Sequence, residues 1–384
     1  MLGGGPAFQN RRVRMPSPTI TSAAMDFRGL AGLLSRHLYH DPDVYLRDLL
    51  QSAVDAIAAR RRLEPGLSGV VSIEVVEPGE LVITDNGIGL TGAELVELLA
   101  NVGGDSGQYE MVRRRPVRFE RDESSRHRDH VGQFGVGLLA CFLVADEVTV
   151  LTRSAKDPEA LRWHGLGDGT YEISPAESSL PIGTRVHLRA RAGVSFGHVS
   201  RSARRYGGLL PVPVRMGSTQ VNDEPPPWEL PALTMDRQRE NALGYARRVL
   251  DLDPLDAIPL HADGVRGVAF VLPHESSPHR DRVCLRRMLL SESAERLLPD
   301  WAVFVRCVID ADDLLPNVAR DGFVEDERLA AVREQLGRCI RDHLVDLARM
   351  WPSRLAGIAA LHRPALAALA ANDGECRRLF DEME

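Results

Sequence analysis

Apolar positions along this chain follow two rhythms, one of 3.6 residues and one of two, and their succession outlines the fold. Leu30, Leu33, Leu34 and Leu38 recur at helical spacing from Phe27. A second helix is predicted after Asp41-Pro42, through Val44, Leu46, Leu49, Leu50, Ala53 and Ile57 toward Arg61, with Asp41 as cap and Pro42 near its start. Val70 to Val76 and Glu80 to Thr84 are β-rich and flank Pro78-Gly79, which predicts a hairpin. Asp85-Asn-Gly-Ile-Gly89 breaks the second strand. Thr91 to Leu99 then reads as a helix capped by Thr91, with Glu94 three residues on as its capping-box partner. Leu139 to Val144 reads as helix, and Glu147 to Arg153 and Gly183 to Arg189 as strands. Further strands are predicted over Gly267 to Pro273, Arg282 to Leu289 and Ala302 to Ile309, followed by a helix from about Asp326 to Met350. The Ala/Leu-rich tail from Leu355 to Ala371 is helical but interrupted by Pro364. No internal repeat is present.

This succession implies an α/β (α+β) protein. A length of 384 residues accommodates two or three domains with ample core. Residues 1–25 are expected to form a disordered extension, 26–216 an N-terminal domain, 217–230 a linker around Val221-Asn-Asp-Glu-Pro-Pro-Pro-Trp228, and 231–384 a second domain with a helical tail. The net charge of -7 provides no global attraction to nucleic acid or to an anionic membrane, so neither is expected as a partner. Lys156 is the only lysine, and arginine appears on every segment, which reads as compositional bias more than chemistry. Cys141, Cys284, Cys307, Cys339 and Cys376 are scattered without CxxC or Cys/His ligand spacing, so reduced core thiols are expected. Residues 1–24 lack the apolar segment of a signal peptide, and no apolar run reaches membrane-spanning length. The cytoplasm is the expected location.

The chemistry concentrates in a few short stretches. In His130-Val-Gly-Gln-Phe-Gly-Val-Gly-Leu138, three glycines precede a predicted helix. Glycine lets the backbone approach an anion, and a helix start offers unpaired N–H groups, so the stretch suits a phosphate. Gly-rich turns before helices are also common packing devices. Gln108 to His130 is charged and aperiodic, either a solvated loop or a lid over the glycines, placed at about 100–131. Asp48, Ser52 and Asp55 share one face of the second helix, a stripe that is either solvated or part of a site. Asp85 is read as a turn residue or a ligand, and Thr184 as a β-former or its partner.

Taken together and in order, Arg47-Asp-Leu-Leu-Gln-Ser-Ala-Val-Asp-Ala56, Asp85-Asn-Gly-Ile-Gly89, Gly132-Gln-Phe-Gly-Val-Gly137 and Gly183-Thr184 resemble the ATP site of the gyrase, heat-shock chaperone, histidine-kinase and mismatch-repair superfamily. Gly132 to Val150 resembles specifically the 90-kDa heat-shock chaperone family. So does Trp301-Ala-Val-Phe-Val-Arg-Cys-Val-Ile-Asp-Ala-Asp-Asp-Leu-Leu-Pro-Asn-Val-Ala-Arg320, which is similar to that family's middle domain. The resemblance covers roughly Phe27 to Met350. It implies an N-terminal two-layer α/β sandwich of the Bergerat type followed by an α/β middle domain, with ATP or ADP and Mg²⁺ as cofactors. Client proteins are the implied partners, and self-association is a further expectation.

Carried across by position, the resemblance implies that Asp85 accepts a hydrogen bond from the adenine amino group, supported by Thr184 through a shared water. Gly89 would let the backbone pass the base, and Leu90 would pack against it. Gly132, Gln133, Phe134, Gly135, Val136 and Gly137 would supply backbone donors to the phosphates, and Arg320 would reach the γ-phosphate. The family's general-base glutamate falls on Asp48, one methylene shorter, and a displacement on the order of 1 Å costs about a hundredfold in rate. Its magnesium-binding asparagine falls on Ser52, a weaker oxygen ligand. Leu98, Gly104, Leu138 and Val324 stand at other departures, Leu138 replacing an aromatic beside the nucleotide. The family's dimerisation domain would follow the middle domain, and the sequence stops at Glu384, as either a fragment or a short form. Two readings stay open: an ATP-dependent chaperone with slow, weak ATPase activity, and a nucleotide-gated protein-binding module with little or none. A kinase or topoisomerase ATPase domain is disfavoured, because the Leu315 to Arg320 loop fits chaperones.

Overall fold

The computed structural model describes residues 19–22, 41, 43–96, 138–222, 224–232, 234–274, 281–292, 297–317 and 322–381. In chain order, the first part comprises β1 (Thr19–Ser22), α1 (Val44–Leu63), β2 (Val71–Glu77), β3 (Glu80–Asp85), β4 (Ala145–Arg153), β5 (Ala160–Leu166), β6 (Thr170–Pro175), β7 (Gly183–Ala190), α2 (Val199–Gly207), β8 (Val214–Met216) and β9 (Thr219–Gln220). Their strands form one nine-stranded sheet, ordered β1-β6-β5-β4-β7-β3-β2-β8-β9. Every described pair in it is antiparallel except β2 with β8. Val71 and Ile73, Leu81 and Ile83, Val148 and Val150, and Val186 and Leu188 alternate onto the buried face. Val44, Leu46, Leu49, Leu50, Ala53 and Ile57 of α1 belong to the same apolar cluster. The hairpin predicted around Pro78-Gly79 joins β2 and β3.

The second part comprises α3 (Met235–Val249), β10 (Asp256–Ala262), β11 (Val265–Val271), β12 (Arg282–Leu285), β13 (Met288–Ser291), β14 (Val305–Ala311), α4 (Glu327–Met350), α5 (Pro352–Asn372) and α6 (Gly374–Asp381). Its five strands are ordered β10-β11-β14-β12-β13, with β12 parallel to β14. Asp326 caps α4 by accepting the Leu329 N–H at 2.8 Å. The buried carboxylate of Asp256, 1% exposed, gathers Arg239, His343 and Arg354 and so ties α3, β10, α4 and α5 together. Burial opposes its ionisation, but hydrogen bonds from His343 and Arg239 hold its pKa down at about 2.

Several sequence expectations are corrected. Asp41 is not the cap of α1: the helix starts after Asp43, and neither residue makes a side-chain cap to it. Asp41 instead pairs with Arg205 of α2, which also holds Glu292 at 2.8 Å, and Asp43 lies 2.8 Å from His198. Pro42 lies outside the described residues. Thr19–Ser22, inside the stretch expected to be disordered, pair with β6, whose outer edge would otherwise be open. Within 217–230, Thr219–Gln220 pair with β8 and Pro227–Glu229 form a 3-10 turn. Helix after the glycine stretch spans only 138–141 before a turn. Arg282–Leu289 is a hairpin, not one strand, because Arg286 and Arg287 adopt φ of 50° and 71° between β12 and β13. The tail is broken at His362, just before Pro364, as Pro364 predicts. No helix among the described residues is long and apolar enough to cross a membrane.

Candidate functional site

Asp85 is the last residue of β3, in register with Thr184 of β7 and Val71 of β2. The two-residue period that buries Leu81 and Ile83 therefore buries Asp85 as well, at 8% exposure. Desolvation pushes its pKa up to about 7, although the N–H groups of Gly87 and Thr184 both stabilise the carboxylate. The Gly87 N–H reaches Oδ1 at 2.7 Å.

The following turn is pinned from several sides. Asn86 Oδ1 accepts the Val70 N–H and its Nδ2 donates to Ser68 O, both at 2.8 Å. The Ile88 N–H donates to Ala56 O of α1 at 3.0 Å, and Ile88 O accepts from Ala155. Gly89 has φ +69°, and a Cβ there would lie 2.0 Å from Arg153 O, so no other residue fits this backbone. Gly183, at φ +137°, permits an equally close approach of β7 to Asp85 O, where a Cβ would come within 2.2 Å. Leu90 is buried at the end of this turn.

Helix α1 forms the adjoining wall. Its Ala56 meets the turn after Asp85, and Asp48 lies eight residues earlier, roughly 12 Å along the axis at 1.5 Å per residue. Asp48 and Ser52 are both buried, so their stripe is not the solvated one. The thiol of fully buried Cys141 is pushed up by desolvation and then by the nearby Asp48 carboxylate. Asp48 is not free: Arg47 Nε donates to its Oδ1 at 3.1 Å, while Arg47 Nη2 is buried without a hydrogen-bond partner. Asp55 accepts from Gln51 at 3.0 Å.

The structure thus gathers Asp85, Gly89, Leu90 and Thr184 directly, with Ser52 and Asp48 along one neighbouring helix. Leu138 is buried at the start of the segment near Asp48. Gly132, Gln133, Phe134, Gly135, Val136, Gly137 and Arg320 lie outside the described residues, as do Leu98, Gly104 and the proposed lid. Sequence reasoning missed Thr152 of β4, which is 0% exposed and bonded to the Leu90 N–H at 2.9 Å. Its signal was a polar residue on the buried stripe of Val148 and Val150. Arg60 was also missed; it donates to Asn86 O at 3.0 Å and Ile182 O at 3.3 Å, clasping the turn to the approach of β7.

Comparison with known proteins finds similar chains. The family described as "Hsp90 protein" matches residues 274–351. The chain is 28% identical to the Chaperone protein HtpG of Oleidesulfovibrio alaskensis over 348 residues, covering 84% of this chain and 54% of that one. The chain is thus similar to the Hsp90 family and to its bacterial members named HtpG. The HtpG of Salinispora arenicola is 28% identical over 369 residues, 85% of this chain and 57% of that protein. For Chlorobaculum tepidum the values are 29% over 327 residues, 77% and 51%. The chain therefore spans about half the length of the curated relatives it matches.

The residues present admit a magnesium–nucleotide only on the terms of a small donor set. Mg²⁺ takes one or two protein oxygens when phosphates and water supply the rest. Ser52 offers one such oxygen, and among the described residues no group of three or more His, Cys, Asp or Glu forms a metal cage.

Proposed function

We propose that the chain is an ATP-dependent chaperone of the Hsp90 type, in which residues 26–216 bind ATP or ADP and residues 231–384 form a client-contacting middle domain. The observation that carries this reading is Asp85: a buried carboxylate, fixed by two backbone N–H donors in a turn whose glycines let the neighbouring backbone pack closely around it. An ionised carboxylate there accepts a hydrogen bond from an exocyclic amine, which suits adenine. Ser52 would be the one protein ligand to a magnesium ion, whose chemistry is to neutralise phosphate charge. The glycines from Gly132 to Gly137 would hold the phosphates, and Arg320 would meet the terminal one.

Hydrolysis in this reading is slow. Asp48 is shorter than a glutamate, and Arg47 at 3.1 Å competes for the carboxylate that would orient water. That same contact favours the second reading, a nucleotide-gated protein-binding module with little or no ATPase activity. Calorimetry with ADP and Mg²⁺ tests the first step: Asp85→Asn should abolish binding, and unchanged binding would sink the adenine assignment. Steady-state ATPase of the Asp48→Glu/Ser52→Asn variant separates the two readings. A rise supports an intact but throttled site, and no gain favours the binding module.

A further inference from the structure

We propose that Thr152 is a specificity-determining positioning residue of the base pocket: it holds the hydroxyl proton of Thr184 away from the ligand, so that the pocket takes a base edge bearing an amino group. The inference rests on the nucleotide reading above. Thr152 stands opposite Thr184 in the β4–β7 register and has no exposure to solvent. Its Oγ1 has three neighbours, the Leu90 N–H at 2.9 Å, Gly183 O at 3.1 Å and Thr184 Oγ1 at 3.2 Å.

A hydroxyl carries one proton and two lone pairs. The Leu90 N–H can only donate, so it takes one lone pair of Thr152. The Gly183 carbonyl can only accept, so it takes the Thr152 proton. The remaining lone pair then accepts the proton of Thr184. With that proton committed, Thr184 presents only lone pairs beside Asp85, which also only accepts when ionised. An exocyclic amino group, as on adenine, satisfies this edge. The 6-oxo group of hypoxanthine or guanine meets acceptor against acceptor, a mismatch that is costly where the groups are buried.

Thr152→Val removes the oxygen, frees the Thr184 hydroxyl to donate to a 6-oxo group, and leaves the Leu90 N–H unpaired. Thr152→Ser keeps the oxygen. The test is calorimetric titration of the full chain with ADP and with IDP at pH 8, where Asp85 is ionised. Wild type should prefer ADP. Thr152→Val should shrink the ADP-to-IDP preference by about tenfold, the worth of one hydrogen bond, and Thr152→Ser should restore it to within about twofold. In a Thr184→Val background, Thr152→Val should change the ratio no further. A wild-type ratio in Thr152→Val, or a Thr152→Ser variant that behaves like Val, overturns the proposal. Should Thr152→Val fail to fold, Thr184→Val alone carries the test: an unchanged preference overturns it. Asp85→Asn distinguishes the two levels, because if it binds ADP like wild type the nucleotide reading itself is wrong.

Discussion

Replacing Asp85 by Asn should make the protein, without nucleotide, progressively more stable relative to wild type as pH rises. The carboxyl is buried and its pKa is raised from 3.8 to about 7, so the folded state holds a proton that the unfolded chain releases. A group of this kind contributes fully below pH 3.8, and its contribution is lost as pH rises through about 7. At 1.36 kcal/mol per pH unit, the complete loss amounts to about 4 kcal/mol. Linkage places about 2 kcal/mol of that at pH 5 and nearly all of it at pH 8. Asparagine carries no such dependence. Its amide does lose part of the fit to the Gly87 and Thr184 N–H donors, a constant penalty of about 1–3 kcal/mol. The stability of Asp85→Asn relative to wild type should therefore improve by about 2–3 kcal/mol between pH 5 and pH 8. Urea denaturation of both proteins without nucleotide at the two pH values measures this difference. A difference that does not change with pH would refute the idea that Asp85 pays for its burial in charge.

Two other perturbations probe the second part of the fold. Asp256→Asn should destabilise by about 2–3 kcal/mol at pH 7, less than a fully buried pair because Arg239 and Arg354 are about one-third exposed. Since the folded-state pKa of Asp256 is depressed from 3.8 to about 2, its contribution is complete above pH 3.8 and fades toward pH 2. The variant should thus approach wild type in acid unfolding, and a gap that persists at pH 2 would count against the network. Arg286→Asn/Arg287→Gly should raise the thermal midpoint, because Asn-Gly suits positive φ in a two-residue hairpin and relieves about 1 kcal/mol per residue. A lower midpoint would show that the contacts of Arg286 with Asp312 O and of Arg287 with Glu229 outweigh the backbone relief.

Elements whose apolar rhythm was clean were legible from sequence: α1, the β2–β3 hairpin, and α4 from about Asp326. The capping box was equally plain, with the Thr91 N–H on Glu94 at 2.8 Å. Where side chains were polar for local reasons, the rhythm failed. In β5, Arg162 and His164 alternate with Trp163 and Gly165, so a glycine stands where an apolar residue would mark the inner face. Helix α3 buries only Ala242, Leu243, Tyr245 and Ala246, too few to signal a stripe. Pro259 spoke against a strand at β10, yet β10 is an edge strand with Val268 on its one paired side, where proline costs no ladder bond. At the site, Asp85 and Thr184 were found because ordered motifs mark them. Thr152 was not, since threonine in a strand looks like an ordinary β-former until its register is known.

The parallel pairing of β2 with β8 has a consequence for how the chain is made. A strand that begins at Val71 must wait for Val214 before its second edge is covered. A ribosome adding 5–20 residues per second needs on the order of ten seconds for that stretch. Throughout it, the hairpin beside Asp85 has an open edge. The half of the sheet that carries Asp85 is thus the last to be sealed, and the nascent chain is most open to wrong strand partners beside that carboxylate.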